Sequence, residues 1–522
     1  MLSAATNYQR YSPLPRSVDP ELWTLDRILL ATRGRLLTVS KQELRNRPLN
    51  GLTKLNTIRF KEISTDSRTL SPGDLFITLH GDNFNGVDFI PKAIQKGAGG
   101  ILVGRDAREE TVALVRKSIS AISGDTIPIV LVDNTQTALG NLAAYRRSLM
   151  PNLRVISITG SSGKTTVKEM TAAIFSENFN TLKTKNNFNN LIGLPLTLLD
   201  LTSLHEFAVL EMGMNSPGEI RRLTEIADPD IGVIINVHPA HLEGLGSIQG
   251  VAKAKQELFD GMKSWSTMVI NYDDPLVRKM AKRYRSKKIS YAATSTGRRH
   301  GAFIKATHTT NHGPEGLSFT LHIGQQKKRI HLQTIGLHNI SNALAAAALA
   351  HAAGLHINDI AKGLTRFTGF EKRAQLLTHF HLGLHILNDS YNANPASMQA
   401  AIETIANLKK KRRAIAVLGD MFELGNYSIE AHRQLGKSIA VSGITYLAAT
   451  GEFAAETVNA ARAAGMPADC TQFFKDKEEI SKWLQKLSEK GDITRGDWLL
   501  LKGSRGMHME TILDDLKQGA TG

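Results

Sequence analysis

The stretch Gly160-Ser161-Ser162-Gly163-Lys164-Thr165-Thr166 combines residue types that could handle phosphate. Small residues let backbone N–H groups approach an anion, a lysine can neutralise the β and γ charge of a polyphosphate, and a threonine hydroxyl can ligate Mg²⁺. The long form of such a loop needs a glycine five positions before Gly163, where Ile158 stands, so the string is the shorter G-x-x-G-K-T-T. Its flanks decide the reading. Residues 155–159 are an apolar, β-branched run that reads as a buried strand, and Lys164 opens a helix whose apolar positions continue through Val167, Met170 and Ile174. A plain strand-to-helix turn with a solvent lysine would leave both glycines and both threonines unexplained. Further along, Glu211 lies towards the end of an apolar run at 206–214, where an ionised carboxylate needs a partner because unpaired burial is costly. His238 and His241 follow another such run at 231–237, and a helical segment at 251–259 carries Lys253 and Lys255.

Around these residues the chain alternates strand and helix signals. An amphipathic helix runs into a strand over 23–37; strands are expected at 75–79, 101–103 and 127–132, and helices at 89–96 and 137–148. The phosphate loop follows, then strands at 206–214, 231–237 and 267–271. Such alternation implies a parallel sheet with ligands at the carboxyl ends of its strands, where the loop, Glu211 and His241 can converge. Residues 301–337 alternate polar and apolar side chains, with turn signals at Asn311-His312-Gly313 and Gly324, and read as antiparallel hairpins inserted in this domain. After an Ala-rich helix near 343–353, a last α/β segment shows strands at 384–390, 414–419 and 498–501, with Asn394 as a helix cap and Pro395 at the first helical position. The expected fold class is α/β in three domains: a small N-terminal α/β domain (23–135), a central P-loop ATPase-like parallel-sheet domain (136–373) and a C-terminal Rossmann-like α/β domain (374–522), preceded by a disordered extension at 1–22.

Composition bounds the function. At 522 residues the chain suits about three domains. No apolar run reaches the ~20 residues that span a bilayer, and the first 22 residues, broken by Pro13, Pro15 and Pro20, have no signal-peptide core. The single cysteine, Cys470, excludes an internal disulfide and fits a reducing compartment, so a cytoplasmic location is expected. Lys and Arg number 64 against 48 Asp and Glu, a formal charge of +16, which favours anionic partners. The basic clusters at 278–288 and 409–413 each follow a helical pattern and precede a strand, without the interleaved aromatics of a single-strand platform.

Several strings, taken together and in order, resemble the Mur ligases: TDSRTLSPGDLF, GSSGKTTVKEM, LEMGM, NVHPAHLEGLGSIQGVAKAKQELF, GLHNISNALAA, NDSYNANPASM, VLGDMFELG and LLLKGSRGMHME. The resemblance covers nearly everything from Trp23 onward; the extension before it and residues 38–55 look additional. Within the family, YNANPASM with VLGDMFELG is similar to the member that adds D-alanyl-D-alanine to UDP-N-acetylmuramoyl-tripeptide in peptidoglycan precursor synthesis. The resemblance implies an ADP-forming carbon–nitrogen ligase that activates a carboxylate as an acyl phosphate, using ATP and two Mg²⁺ ions, acting as a monomer without nucleic acid; the basic charge leaves peripheral membrane association open. It implies Lys164, Glu211, His241 and Lys255 as catalytic residues. For ATP it implies Gly160, Ser161, Ser162, Gly163, Lys164, Thr165 and Thr166, with Asn339, Arg373, Asp389, Tyr391 and Asn394. The metal set would be Thr165, Glu211, His241 and Lys255, the last as a CO₂-derived carbamate, with Lys253 competing for that role. Ser67 and Arg68 would bind the UDP end, and Asn187 and Asn189 the nucleotide-sugar peptide. Near the latter the family pattern has Gly for Asn186 and Glu for Leu191. A sister ligase adding another amino acid or peptide, folylpolyglutamate-type enzymes included, is the nearest alternative. A phosphate-loop nucleic-acid-binding ATPase and a non-catalytic nucleotide module are the alternatives from other classes.

Overall fold

The computed structural model describes residues 21–40, 57–81, 84–119, 126–378 and 382–518. Nearly all of the expected N-terminal extension and most of the additional segment at 38–55 lie outside these. Contacts divide the chain into two compact units, one of residues 1–155, 184–208 and 222–228, the other of 156–183, 209–221 and 229–522.

The first unit is built on a five-stranded sheet in the order Arg35–Ser40, Thr126–Val132, Gly100–Gly104, Leu75–Ile77, Ile63–Ser64. The first pair is antiparallel and the others parallel. Phe76, Ile101 and Ile129 pack with Ile90 and Ile94 of helix Ile90–Gln95 in its core. Helix Thr135–Ser148 starts where Asn134 accepts the N–H of Thr137 (2.8 Å), which satisfies one of the unpaired donors of the first turn.

The second unit holds most of a nine-stranded sheet in the order Thr181–Lys183, Phe207–Glu211, Arg154–Thr159, Ile231–Ile234, Thr267–Asn271, Lys288–Ala292, Ile304–Asn311, Leu317–Ile323, Gln326–Leu332. Pairing from Arg154–Thr159 to Ile304–Asn311 is parallel. These strands read as unbroken apolar runs because such sheets are covered on both faces. The strands at 206–214 and 231–237 are shorter than the apolar runs suggested, ending at Glu211 and Ile234, because the chain there turns out of the sheet to meet the phosphate loop. The stretch 301–337 carries the expected antiparallel hairpins. Their three antiparallel strands extend the same sheet at one edge, and their polar–apolar alternation reflects a sheet covered on one face only.

A six-stranded sheet follows in the order Gln375–Thr378, His385–Asp389, Trp498–Lys502, Ala414–Gly419, Tyr446–Thr450, Thr471–Phe474. All pairs but the first are parallel. Apolar cores lie on both of its faces. Helix Pro395–Lys409 carries the expected Asn394 cap, completed by a reciprocal bond from the Asn394 N–H to the Ser397 hydroxyl (2.9 Å).

Candidate active site

In the nine-stranded sheet the chain leaves Arg154–Thr159 towards one edge and returns to build on the other side through Ile231–Ile234. Where the order reverses, the carboxyl ends of adjacent strands part and leave a crevice. The loop 160–163, Glu211 and the segment after Ile234 all open into it.

The loop's geometry demands its glycines. Gly163 sits at φ +81°, and a Cβ there would lie 2.6 Å from Asn342 Oδ1; one on Gly160 would lie 3.0 Å from Ile235 Cβ. Asn236, which sequence reasoning missed, holds the loop. Its Oδ1 accepts the N–H groups of Ser161 and Ser162 (both 3.0 Å), and its Nδ2 donates to Ser162 O (3.1 Å). Ser161 Oγ bridges the His238 backbone, donating to its carbonyl and accepting its N–H (2.9 Å each). Lys164 begins helix Lys164–Phe175 and donates from Nζ to Gly160 O (2.9 Å). Burial lowers the Lys164 pKa; Glu211 opposes this, Arg373 adds to it, and Glu423 opposes it. Thr166 is half-buried in the same first turn.

Thr165 is the meeting point. Its Oγ1 donates to Glu211 Oε2 (2.8 Å) and accepts from Arg373 Nη2 (2.9 Å). Glu211 is 3 % exposed, so its charge depends on these neighbours. The Arg373 guanidinium lies 4.0 Å from the Tyr391 ring centroid, and its Nε is buried without a hydrogen bond. Asp389 accepts the Ala374 N–H (2.9 Å) and pairs with Lys502, itself 1 % exposed, which also donates to Asn392 O (2.9 Å). Asn394 caps its helix and donates from Nδ2 to Ser161 O (3.2 Å), tying helix Pro395–Lys409 to the phosphate loop.

Asn339 is turned inward: its Nδ2 donates to Ile335 O (2.7 Å) and its Oδ1 accepts from Asn342 (2.8 Å). A small cavity of about 40 Å³ lies nearby, lined among others by Gly336, Leu337, His338, Ala400 and Thr404.

His241, at φ +55°, contacts Glu423 through Nδ1 (2.5 Å), and the Glu423 carbonyl accepts the N–H of Glu243 (3.2 Å). Glu423, also missed, is itself at φ +63°, and His241, aided by Lys164, holds its carboxyl below the usual range despite burial. Lys255, on helix Ile248–Gly261, is 1 % exposed and makes no ion pair among the described residues. Burial pushes its amine well below the ordinary lysine value, and repulsion from Lys164 adds to this. Lys253 lies half-buried on the same helix. Burial also lowers His238, against the pull of Asp274.

Among the described residues no three His, Cys, Asp or Glu side chains group as a ready metal site. Thr165 and Glu211 are hard oxygen donors already in contact and would suit a magnesium ion whose other ligands are phosphate and water. Carbamylation requires an uncharged amine, the form that burial favours at Lys255.

The remaining candidates belong to the first unit. Ser67 is buried, while Arg68 is exposed and forks onto Asp66 (Nε–Oδ1 3.0 Å, Nη2–Oδ2 2.8 Å). Asn187 is exposed and its carbonyl accepts the N–H of half-buried Asn189 (2.7 Å). Asn186, where the family pattern has glycine, lies at φ +46°, a conformation asparagine tolerates better than most residues.

Comparison with known proteins agrees along the chain. Residues 59–147 match the Mur ligase family catalytic domain, 158–350 the Mur ligase middle domain, and 372–505 the Mur ligase glutamate ligase domain. The UDP-N-acetylmuramoyl-tripeptide–D-alanyl-D-alanine ligase of Escherichia coli (strain K12) is 36% identical over 476 residues, 91% of this chain and 97% of that protein. The Bacillus subtilis (strain 168) enzyme of the same name is 35% identical over 455 residues, 87% and 92% of the two chains. Among solved structures, a MurF crystal structure from Acinetobacter baumannii superposes with a TM-score of 0.80 at 31% identity, covering 96% of this chain and 100% of that one. MurF ligase from Thermotoga maritima in complex with ADP gives 0.73 at 26% identity, covering 88% and 98%. From phosphate loop to last strand, the chain belongs to the Mur ligase family.

Proposed function

We infer that the chain is an ATP-dependent, ADP-forming ligase that joins D-alanyl-D-alanine to UDP-N-acetylmuramoyl-tripeptide in peptidoglycan precursor synthesis. The observation that carries this is the near full-length similarity to the Escherichia coli ligase of that specificity, 97% of whose length is covered. The contacts around Thr165 supply the means.

A terminal carboxylate oxygen of the tripeptide attacks the γ-phosphorus of ATP, the bond to the β–γ bridging oxygen breaks, and ADP leaves. The amine nitrogen of the dipeptide then attacks the acyl-phosphate carbon. The amide forms, phosphate departs with the former carboxylate oxygen, and the amine proton is released. Both steps bring anions together, so fixed positive charge is the chief requirement. Lys164 meets the β and γ oxygens. Arg373, stacked on Tyr391 and bonded to Thr165, supports the same charge from the opposite side of the crevice. Asn236 and Asn394 keep the loop backbone in register. Asp389, through Lys502 and the Ala374 N–H, fixes the chain just after Arg373. The base is assigned to the surface near the start of helix His338–Ala352, which Asn339 holds by donating to Ile335 O.

Magnesium, held by Thr165 and Glu211 with a second ion towards His241 and carbamylated Lys255, would neutralise charge between the phosphate oxygens. Ser67, Arg68, Asn187 and Asn189 are assigned to the UDP-linked substrate. Segments 23–135, 136–373 and 374–522 would serve the UDP end, ATP, and the dipeptide side respectively. A monomer acting in the cytoplasm is part of the same reading.

Coupled ADP release tests the reading. Rapid turnover is expected with UDP-N-acetylmuramoyl-tripeptide and D-alanyl-D-alanine together, and less than about 1% of it with single amino acids, because a site built for a dipeptide leaves polar groups unpaired without one. Equal turnover with a single amino acid would overturn the specificity.

A further inference from the structure

The run KKKRR at 409–413 takes no part in the site described above. It spans the last residue of helix Pro395–Lys409 and the turn into strand Ala414–Gly419, at the amino ends of the parallel strands of the six-stranded sheet. Lys490 and Arg495 reach the same end on the loop that leads into Trp498–Lys502. The two loops are joined. Trp498 N donates to Arg413 O (3.0 Å), Arg413 Nη1 donates to Gly491 O (3.2 Å), and Arg413 N donates to Asp497 Oδ1 (3.1 Å). A Cβ on Gly496 would stand 3.5 Å from Arg412 Cζ, and one on Gly383 would stand 2.8 Å from Arg495 Cγ. Five cations and two more thus share one end of the sheet, and among the described residues none of them forms an ion pair. Of the carboxylates on these loops, Asp497 is buried and accepts backbone N–H groups of Arg413 and Thr494, leaving Glu489 and Asp492 nearer the surface.

We propose that this end of the sheet docks on an anionic lipid surface. A cluster of Lys and Arg on short turns suits a broad field of negative headgroups, each cation adding to the attraction. Nucleic acid fits less well. The aromatic side chain here, Trp498, is 5 % exposed and covered by His385 (ring centroids 4.9 Å apart), so no face is offered for base stacking. Apart from Lys409 at a helix end, the cations sit on loops, not on a helix face or ribbon that could enter a groove. The strands run five residues, about 17 Å, from this end to Asp389 and Lys502, so a docked chain would keep its reaction crevice open to soluble substrates.

The test is sedimentation of the full chain with vesicles of phosphatidylglycerol and phosphatidylcholine, against vesicles of phosphatidylcholine alone. Binding to the anionic vesicles is expected at low salt, falling steeply as salt rises. The triple variant Lys410→Glu, Lys411→Glu, Arg412→Glu should bind about 100-fold more weakly, with ligase turnover on soluble substrates and melting temperature unchanged. A charge-matched control, Lys279→Glu, Lys282→Glu, Arg285→Glu, alters the other basic cluster and should lose much less. If the triple variant does not fold, the neutral pair Lys410→Gln, Lys411→Gln carries the same comparison. Absence of binding to anionic vesicles, equal loss in both triple variants, or displacement from vesicles by duplex or single-stranded nucleic acid at equal charge concentration would each overturn the proposal.

Discussion

Lys164 sits where burial, and Arg373, work against its positive charge, while Glu211 and Glu423 sustain it. That balance makes it the residue on which polyphosphate binding turns. Lys164→Met keeps the stem's packing but removes the charge, and should lower kcat by about 10²- to 10³-fold with the fold intact; steady-state kinetics and a melting curve check both halves. Arg373→Lys keeps the charge but loses the planar group over Tyr391, and should raise the KM for ATP about tenfold, since stacking and forked donation are not lysine properties. The phosphate loop was legible in the sequence because a strand end, a glycine turn and a helix start are local features, and the approach of Glu211 to it followed from the strand–helix alternation, which puts both at carboxyl ends of parallel strands. Asn236 and Glu423 were not legible. Asn236 stands in an Asn-Val-His-Pro string whose partners are seventy-odd residues away, and Glu423 meets His241 from the loop after strand Ala414–Gly419. Spacing along a chain carries no information about such pairings. The orientation of Asn339, whose amide bonds to Ile335 O at its own helix start, was likewise not readable from residue type.

At the scale of elements, Asn394 performs two tasks that a pair of substitutions separates. Asn394→Ala removes the cap and should cost about 1 kcal/mol of stability. Asn394→Asp restores an accepting oxygen for the Ser397 N–H but lacks the donor to Ser161 O. It should recover most of the stability while leaving the KM for ATP raised, read by chemical denaturation and kinetics side by side. The parallel strands were recoverable from sequence because burial on both faces leaves unbroken apolar runs. The antiparallel pairing of the stretch 304–332 was legible; its junction with the parallel strands was not. Alternation reports that one face is covered; it does not report which sheet edge receives the strand, and Ile304 meets Tyr291 across only a short parallel register.

For the whole molecule, the segment joining the nine- and six-stranded sheets decides how the crevice is assembled. Gly369, Lys372 and Ala374 lie at φ +96°, +59° and +46°, so the chain turns sharply on either side of Arg373. Glu510 anchors it, bonding Lys372 (2.9 Å) and Arg505 (2.6 Å). Burial alone would raise the Glu510 pKa, but these cations bring it from an ordinary value of 4.5 down to about 2. Its stabilising effect is therefore complete above pH 4.5 and is lost as pH falls towards 2. Glu510→Gln should be less stable than the natural chain at pH 7 by about 1–2 kcal/mol, and its melting temperature should fall less between pH 5 and pH 2. Such a tether across 138 positions left no trace in local sequence pattern. The measurement closest to the proposed chemistry follows an oxygen atom. With ¹⁸O in the terminal carboxylate of UDP-N-acetylmuramoyl-tripeptide, and with ATP and D-alanyl-D-alanine present, an acyl-phosphate route delivers one labelled oxygen to each phosphate released. Phosphate carrying no label, with the amide formed all the same, would contradict it.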